Sequence, residues 1–318
     1  MTTDFALTTA RLKSLRTARN VVPEAAAIFG IEGSGALECL QGLLTSDLAA
    51  SGEASLVYGA LLTSKGMIVV DPWVLRHGTR FTLLMDRAGR EPAAQLFARV
   101  LPPRLAKVTD LTESWSAAWL LGSCGFERLG RASGQPHPGP GRVSENPDRN
   151  VLLAAGPPNA PFSGLLLGPA SQVDELLAHA GNEPGHEADL AAARVLAGWP
   201  TLGREIDERT LPQEVRYDEL GAVSYVKGCY TGQETVARVH FRGHVNRTLR
   251  GVRIEGAAPL EARSLTVDDR EVGSVRTALL LEDQVLALAV LRREVEEGTA
   301  LRAGARAATV VPLPFVLA

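Results

Sequence analysis

The chain has 318 residues, a formal net charge of −3, 45% hydrophobic and 22% charged residues. That length exceeds one compact core in most architectures and points to two or three domains. The composition is that of a globular protein, and the negative charge leaves only local basic patches as an argument for nucleic acid. Three cysteines, Cys39, Cys124 and Cys229, with no CxxC pair, exclude a disulfide framework and zinc-type spacing and fit a reducing compartment. The first residues lack an apolar core of signal-peptide length ahead of their charges. No run approaches the roughly 18 apolar residues of a membrane helix. The expectation is a cytoplasmic protein with no membrane partner.

Residues 1–22 carry Arg11, Lys13, Arg16 and Arg19 among small residues, and read as a solvated arm or a short amphipathic helix. Ala27–Ile31 reads as a strand. Ala36, Leu37, Leu40 and Leu44 have helical spacing after the Gly33-Ser34-Gly35 turn. These glycines form neither GxxxxGK[ST] nor a full GxGxxG, so a nucleotide site is not indicated. Strands are predicted over Ser55–Leu62, Met67–Leu75 and Arg80–Met85, with turns at 63–66 and 76–79 that each hold a glycine. Arg90–Leu101 is an amphipathic helix stopped by Pro102-Pro103. A meander followed by a helix indicates an α+β layer and not a βαβ nucleotide fold.

Trp115–Leu121 is a predicted strand, and 130–150, dense in Gly and Pro, an exposed loop. Strands follow at Val151–Ala155 and Gly164–Leu167. Helices follow at Ser171–Ala180, with Ser171 as a cap, and at Glu187–Ala197. After residue 245, Leu249–Ile254, Ser264–Val267, Glu271–Leu280, Val285–Leu291 and Ala307–Val311 are short strands that suit a small barrel.

The least ordinary stretch is KGCYTGQETVARVHFRGHVNR, Lys227–Arg247. Tyr225-Val226 reads as a strand end, and Gly228 and Gly232 permit a tight loop. Thr235–Arg238 reads either as a helix start, with Glu234 favoured by the dipole, or as an extended segment. Cys229 is either a small buried hydrophobe or a reactive or ligating thiol whose cationic neighbours favour the thiolate. Lys227, Arg238, Arg242, Arg247 and Arg250 face one acid, Glu234. The run is either an anion site for a carboxylate, a phosphate or RNA, or a solvated basic strand. Tyr230 and Phe241 are few aromatics for base stacking.

KGCYTGQETVAR with Arg242-Gly243 and Arg247 resembles the signature of the YgfZ-type folate-binding proteins, within the aminomethyltransferase (glycine cleavage T-protein) superfamily. Leu40-Gln41-Gly42 with Thr45 and Asp47, Ala60–Leu62 with Lys65-Gly66, and Arg194, Ala197-Gly198, Pro200, Gly203, Glu205, Leu211-Pro212 and Glu214 resemble further blocks of that family. The resemblance implies an α+β, GcvT-like cloverleaf over residues 1–244 in two intertwined subdomains, with a C-terminal β-barrel domain over 245–318. It implies a central channel for tetrahydrofolate or a related folate, with Asp71, Lys227, Tyr230, Gln233, Glu234 and Arg238 as binding residues and Cys229 as the functional thiol. It implies a role in iron–sulfur cluster assembly or repair, including service to a tRNA-methylthiolating enzyme, with a transient cluster and with assembly proteins or client enzymes as partners. A folate-dependent aminomethyl or one-carbon transferase and an RNA-binding module are the alternatives; direct nucleic-acid binding is not expected. Two positions depart from the enzymes of the superfamily. Leu196 stands where they often carry a pterin-contacting glutamate, and Val70-Asp71 stands where they carry an acidic pair, so Asp71 is the one candidate acid left there.

Overall fold

The computed structural model describes residues 3–15, 19–22, 26–135 and 137–316; Arg16 of the arm and Pro136 of the predicted loop lie outside them. Two α+β lobes and a barrel meet around one aromatic centre. The first lobe is an antiparallel five-stranded sheet in the order Ala54–Tyr58, Trp73–His77, Arg80–Asp86, Ala26–Glu32, Lys107–Asp110. Its central hairpin turns through Gly78-Thr79, with Gly78 at φ 66° as the tight turn requires. The predicted Met67–Leu75 strand is two strands, Ile68–Val70 and Trp73–His77. Pro72 breaks it, because proline has no N–H for a ladder. Helix Arg90–Val100 covers one face and buries Leu96 and Phe97 against Phe29.

The second lobe is a six-stranded sheet in the order Val143–Asn146, Val151–Ala155, Gly164–Pro169, Trp115–Leu121, Arg19–Val21, Glu183–Pro184. Helices Ser123–Ser133 and Ala170–Ala180 pack on it. The first of these helices and the strand Val143–Asn146 occupy much of the region expected to be an exposed loop. Gly125 and Gly130 disguise the helix in sequence, yet Phe126 and Leu129, three residues apart, form its buried stripe. The ring of Phe126 lies so close over Gly164 that a Cβ there would sit 2.2 Å from it. Ser171 is not a cap; it lies inside a helix that begins after Pro169, whose fixed φ suits a helix entry.

The barrel is closed by six strands, Arg270–Leu280, Ser264–Val267, Ala300–Ala303, Arg306–Val311, Arg247–Glu255 and Gln284–Arg292, the last pairing back with the first. Ala300–Ala303 has no counterpart among the expected strands. The N-terminal arm is not solvated: Thr3–Ala6 pairs in parallel with Arg270–Leu280, and Arg11, on helix Thr9–Ser14, holds buried Asp189 through two hydrogen bonds of 2.8 and 2.5 Å. The wish of each exposed barrel and helix edge for a partner overrides the polarity of the arm. No helix among the described residues is long and apolar enough to cross a membrane.

The lobes join through a shared core. Phe162 of the second lobe, which packs on Trp119, meets Trp73 of the first, and Trp73 stacks on Trp199 at 5.2 Å and 18°. Tyr58 packs on Trp73, Trp199 and Tyr217. Leu279, Leu286 and Leu288 bring the barrel to the same cluster. Glu205 ties the barrel on: its buried carboxyl accepts from the Thr201 N–H at 3.0 Å and the Thr277 hydroxyl at 2.5 Å. Replacing Thr277 with valine leaves that carboxyl short of a donor. The expected loss is about 1–3 kcal/mol of unfolding free energy, read as a lower urea midpoint; an unchanged midpoint would show that the tie is not structural.

Candidate functional site

Residues 222–231 form no strand, contrary to the strand end expected at Tyr225-Val226. Their backbone bonds instead to the turn after helix Ala36–Gln41. Ser224 N–H donates to Thr45 O at 2.9 Å and Thr231 N–H to Gly42 O at 3.0 Å. The Thr45 hydroxyl donates to Ala222 O at 2.6 Å and accepts from Ala60 N–H at 2.8 Å. Gln41 and Asp47 brace the platform: the Gln41 amide donates to Asp47 and accepts from Leu48 N–H, and Asp47 caps helix Leu48–Ser51. The 63–66 turn closes the other side. A Cβ on Gly232 would lie 2.6 Å from Thr63 O and 3.0 Å from Gly66 Cα, and Gly232 takes φ 81°, so only glycine fits. The separate sequence blocks are thus the two faces of one seam.

Lys227 is the pin of that seam. It is buried, and its ammonium donates to Leu44 O at 2.7 Å and Ser46 O at 2.9 Å, 5.2 Å from the Tyr230 ring centroid. Burial lowers its pKa to about 8, against the opposing pull of Asp47. The ammonium is therefore spent on backbone carbonyls. Tyr230 is buried, its hydroxyl has no partner among the described residues, and burial pushes its pKa up to about 12. Cys229, between these two buried residues, is exposed. The small buried hydrophobe reading of this cysteine is excluded by its position.

Helix Gln233–Arg242 follows, which settles the helical alternative. Gln233 is half-buried, and Glu234 and Arg238 are exposed. The basic run does not gather into one wall. Lys227 points inward, and Arg247 pairs with Glu214 at 2.9 Å and with Asp207 at 3.7 Å. Arg238 and Arg242 face solvent.

Asp71 lies elsewhere, in the aromatic centre where the lobes meet. It ends the strand Ile68–Val70 just before Pro72, and the Tyr58 hydroxyl donates to its Oδ2 at 2.8 Å; the Tyr217 hydroxyl is 3.0 Å from that of Tyr58. Burial raises the Asp71 pKa to about 7, against the Tyr58 hydrogen bond and the Arg194 charge. Arg194 carries its guanidinium 5.6 Å from the Trp119 ring, and burial lowers its pKa. Asp71, Asp86, Trp119, Arg194 and Trp199 line a narrow cleft made of two small voids of about 30 and 80 Å³. The Trp119 indole N–H there has no partner among the described residues. These volumes fall well below the ~300 Å³ at which small-molecule sites begin. Leu196 packs into the core and accepts only through its carbonyl, from Phe315 N–H. The cleft offers donors and the acids Asp71 and Asp86, but its volume leaves little room for a pterin. A hollow of about 690 Å³ between Glu32, Arg76, Arg104 and Lys107 holds neither Asp71 nor any motif side chain.

Sequence reasoning singled out Asp71 but not its partners Tyr58 and Tyr217. Their signal in sequence is faint, two tyrosines 159 residues apart. Among the described residues no cluster of three His, Cys, Asp or Glu could hold a metal ion.

No family model matches the chain. It is 30% identical over 306 residues to the tRNA-modifying protein YgfZ of Cronobacter sakazakii, covering 92% of this chain and 91% of that protein. It is 27% identical over 303 residues to the protein of the same name from Escherichia coli, with the same coverage. The chain belongs to the YgfZ family. The glycine cleavage system aminomethyltransferase T from Bartonella henselae superposes with a TM-score of 0.81 over 96% of this chain and 88% of its own, at 21% identity. The YgfZ chain and that enzyme share a fold, the GcvT-like α+β arrangement with a terminal barrel.

The Asp71 environment makes stability depend on pH. Unfolded Asp71 ionises near its ordinary value of ~4, whereas the folded group ionises at about 7. Folding therefore takes up a proton between these values, and the contribution present below pH ~4 is lost as pH rises toward 7. Asp71→Asn is expected to be more stable than the parent above pH 7, by a few kcal/mol in order of magnitude, with the gap closing toward pH ~4. Thermal unfolding across this range checks it; a gap independent of pH would refute the raised pKa.

Proposed function

We propose that this YgfZ-family chain supports tRNA modification by assisting the assembly or repair of iron–sulfur clusters in client enzymes, with Cys229 as the working thiol. One observation carries the reading. Cys229 is exposed on a loop held on one side by the buried Lys227, whose ammonium donates to Leu44 O and Ser46 O, and on the other by Thr231, whose N–H donates to Gly42 O. Such a loop holds a thiol out at a defined place while its own backbone cannot collapse over it. A single cysteine cannot hold a four-iron cluster, which takes about four thiolates. The cluster is cargo: Cys229 would supply one thiolate while the client supplies the rest. The names of the relatives support the tRNA link, and Cys229 is not among the residues that line the Asp71 cleft, which supports a role that does not depend on folate turnover. Assembly proteins or client enzymes are the partners on this reading. In a strain that lacks its own YgfZ, the parent chain is expected to restore four-iron enzyme activity and methylthiolated tRNA, and Cys229→Ala to leave both at the level of the empty strain. Full restoration by the alanine variant would end this assignment.

A second reading, aminomethyl or one-carbon transfer on tetrahydrofolate, is favoured by one observation: Asp71, with a pKa of about 7, is suited to give or take a proton at neutral pH. The volume of the closed cleft opposes it. Incubation with tetrahydrofolate and a methylamine donor is expected to form no methylenetetrahydrofolate. Turnover that disappears in Asp71→Asn would promote this reading above the first. An RNA-binding module has little support, since the basic residues after Lys227 are scattered or paired.

A further inference from the structure

The loop and helix that carry Cys229 also hold two large apolar side chains in water. Val226 is 94% exposed, the most of any large apolar side chain among the described residues, and Phe241, at 67%, is the one exposed aromatic ring among them. Neither is loose. Val226 stands between Ser224, whose N–H bonds to Thr45 O, and the buried Lys227. Phe241 stands on helix Gln233–Arg242 and is backed by a stack: its ring is 4.8 Å from His240 and 5.8 Å from Tyr225, and those two rings lie parallel at 3.7 Å. The Tyr225 hydroxyl is tied to Asp218 at 2.5 Å and accepts from Gln213 at 3.1 Å.

Rigid, exposed apolar groups lose little freedom when a partner covers them, and they are the usual anchors of a binding face. Two residues, Lys227 and Gly228, separate Val226 from Cys229, so their Cα atoms lie within roughly 11 Å of each other. The surroundings are basic. Arg238 and Arg242 are exposed on the same helix, and Lys65 is exposed beside Gly66, which packs on Thr235 of that helix. Two exposed acids offset part of this charge: Glu234 lies one turn before Arg238 on the same helix face, and Asp218 accepts from the Tyr225 hydroxyl and lies 3.4 Å from His240; the exposed cations Lys65, Arg238 and Arg242 outnumber them.

We propose that Val226 and Phe241 form a docking face for a client protein that presents an apolar socket with an acidic rim, and that this contact delivers the client to Cys229. The inference rests on the reading of Cys229 as the working thiol. A protein fits the face better than an RNA strand does. Val226 offers aliphatic branches with no π-face for a base, and Tyr225 and His240 already stack on each other, leaving one free ring where a base-stacking platform offers several.

The test uses the full chain with a photo-crosslinking phenylalanine analogue at position 241, irradiated in cells of the complemented strain. The expected product is an adduct with a four-iron client enzyme, cross-linked through a peptide that carries acidic residues. Val226→Ser or the pair Arg238→Glu and Arg242→Glu should lower its yield by about tenfold or more, a hot-spot effect. The double variant Val226→Ser, Phe241→Ser should keep the parent's melting temperature, since both side chains lie in water, and should lose client activity. An adduct with RNA, with a second copy of the chain or with a protein lacking those features overturns the proposal, as does no adduct or full client activity of the double variant. Cys229→Ala in the same strain keeps the two ideas apart. If it is silent, the thiol assignment fails, and the adduct still judges the face; if it abolishes activity while the double variant does not, only the docking face fails.

Discussion

The seam between residues 42–46 and 222–231 governs the candidate functional loop. Two carbonyls, those of Leu44 and Ser46, point into the protein at a turn where no helix or strand can satisfy them, and the Lys227 ammonium takes both. A buried carbonyl without a donor costs on the order of 1–3 kcal/mol, and a buried ammonium without acceptors costs more, so each side of the seam requires the other. Segments nearly two hundred residues apart in the chain are thereby held at hydrogen-bond distance. The shape of the loop follows from this. With Lys227 and Tyr230 drawn inward, the residues between and beside them, Val226, Gly228 and Cys229, are turned outward.

The interior carries a second polar unit of a different kind. Asp71, Tyr58 and Tyr217 form a hydrogen-bonded string inside an aromatic cluster that all three parts of the fold share. Its acid has been pushed toward neutrality by loss of water, which outweighs the opposing Tyr58 hydrogen bond and Arg194 charge. The cleft beside it is nearly filled by Trp119, Trp199 and the Arg194 guanidinium. The fold of an aminomethyltransferase is present while its central room is largely closed. A widely used architecture does not by itself set the chemistry it carries; here the Cys229 thiol is exposed, whereas the cleft beside Asp71 is small.

Much of this architecture was legible in the residues. Strand Trp115–Leu121 and helix Glu187–Ala197 stand at their expected bounds because period and flanking breakers coincide. The barrel strands were marked by turn residues between short β-branched runs, and Ala300–Ala303 was not, since two alanines and an arginine carry little strand signal. The helix Ser123–Ser133 was hidden by its glycines, which weaken the helical signal, although a Cβ on Gly130 would meet only ordinary contacts, 3.9 Å from Gln135 O and 4.0 Å from Leu153 Cδ2. The arm at the N-terminus looked polar enough for water, and its pairing depends on residues 277–280, which run past the partner strand Ser264–Val267, and on Asp189, both hundreds of residues away or nearly so.

By itself the sequence determined the class of the chain, α+β with a terminal barrel, and marked out one unusual loop, because the KGCYTGQE stretch is a local pattern of glycines, cysteine and charge that needs no partner to be recognised. What tertiary structure alone decided is which way each side chain of that loop turns. Lys227 and Cys229 are two residues apart, and composition allows either to be buried. The carbonyls of Leu44 and Ser46 draw the lysine inward, the loop geometry leaves the cysteine in water, and the meeting of Tyr58, Asp71 and Tyr217 exists only once three separate segments close around it. Hydrogen bonds between distant segments are satisfied by position in space, and position in space is what a linear pattern does not carry.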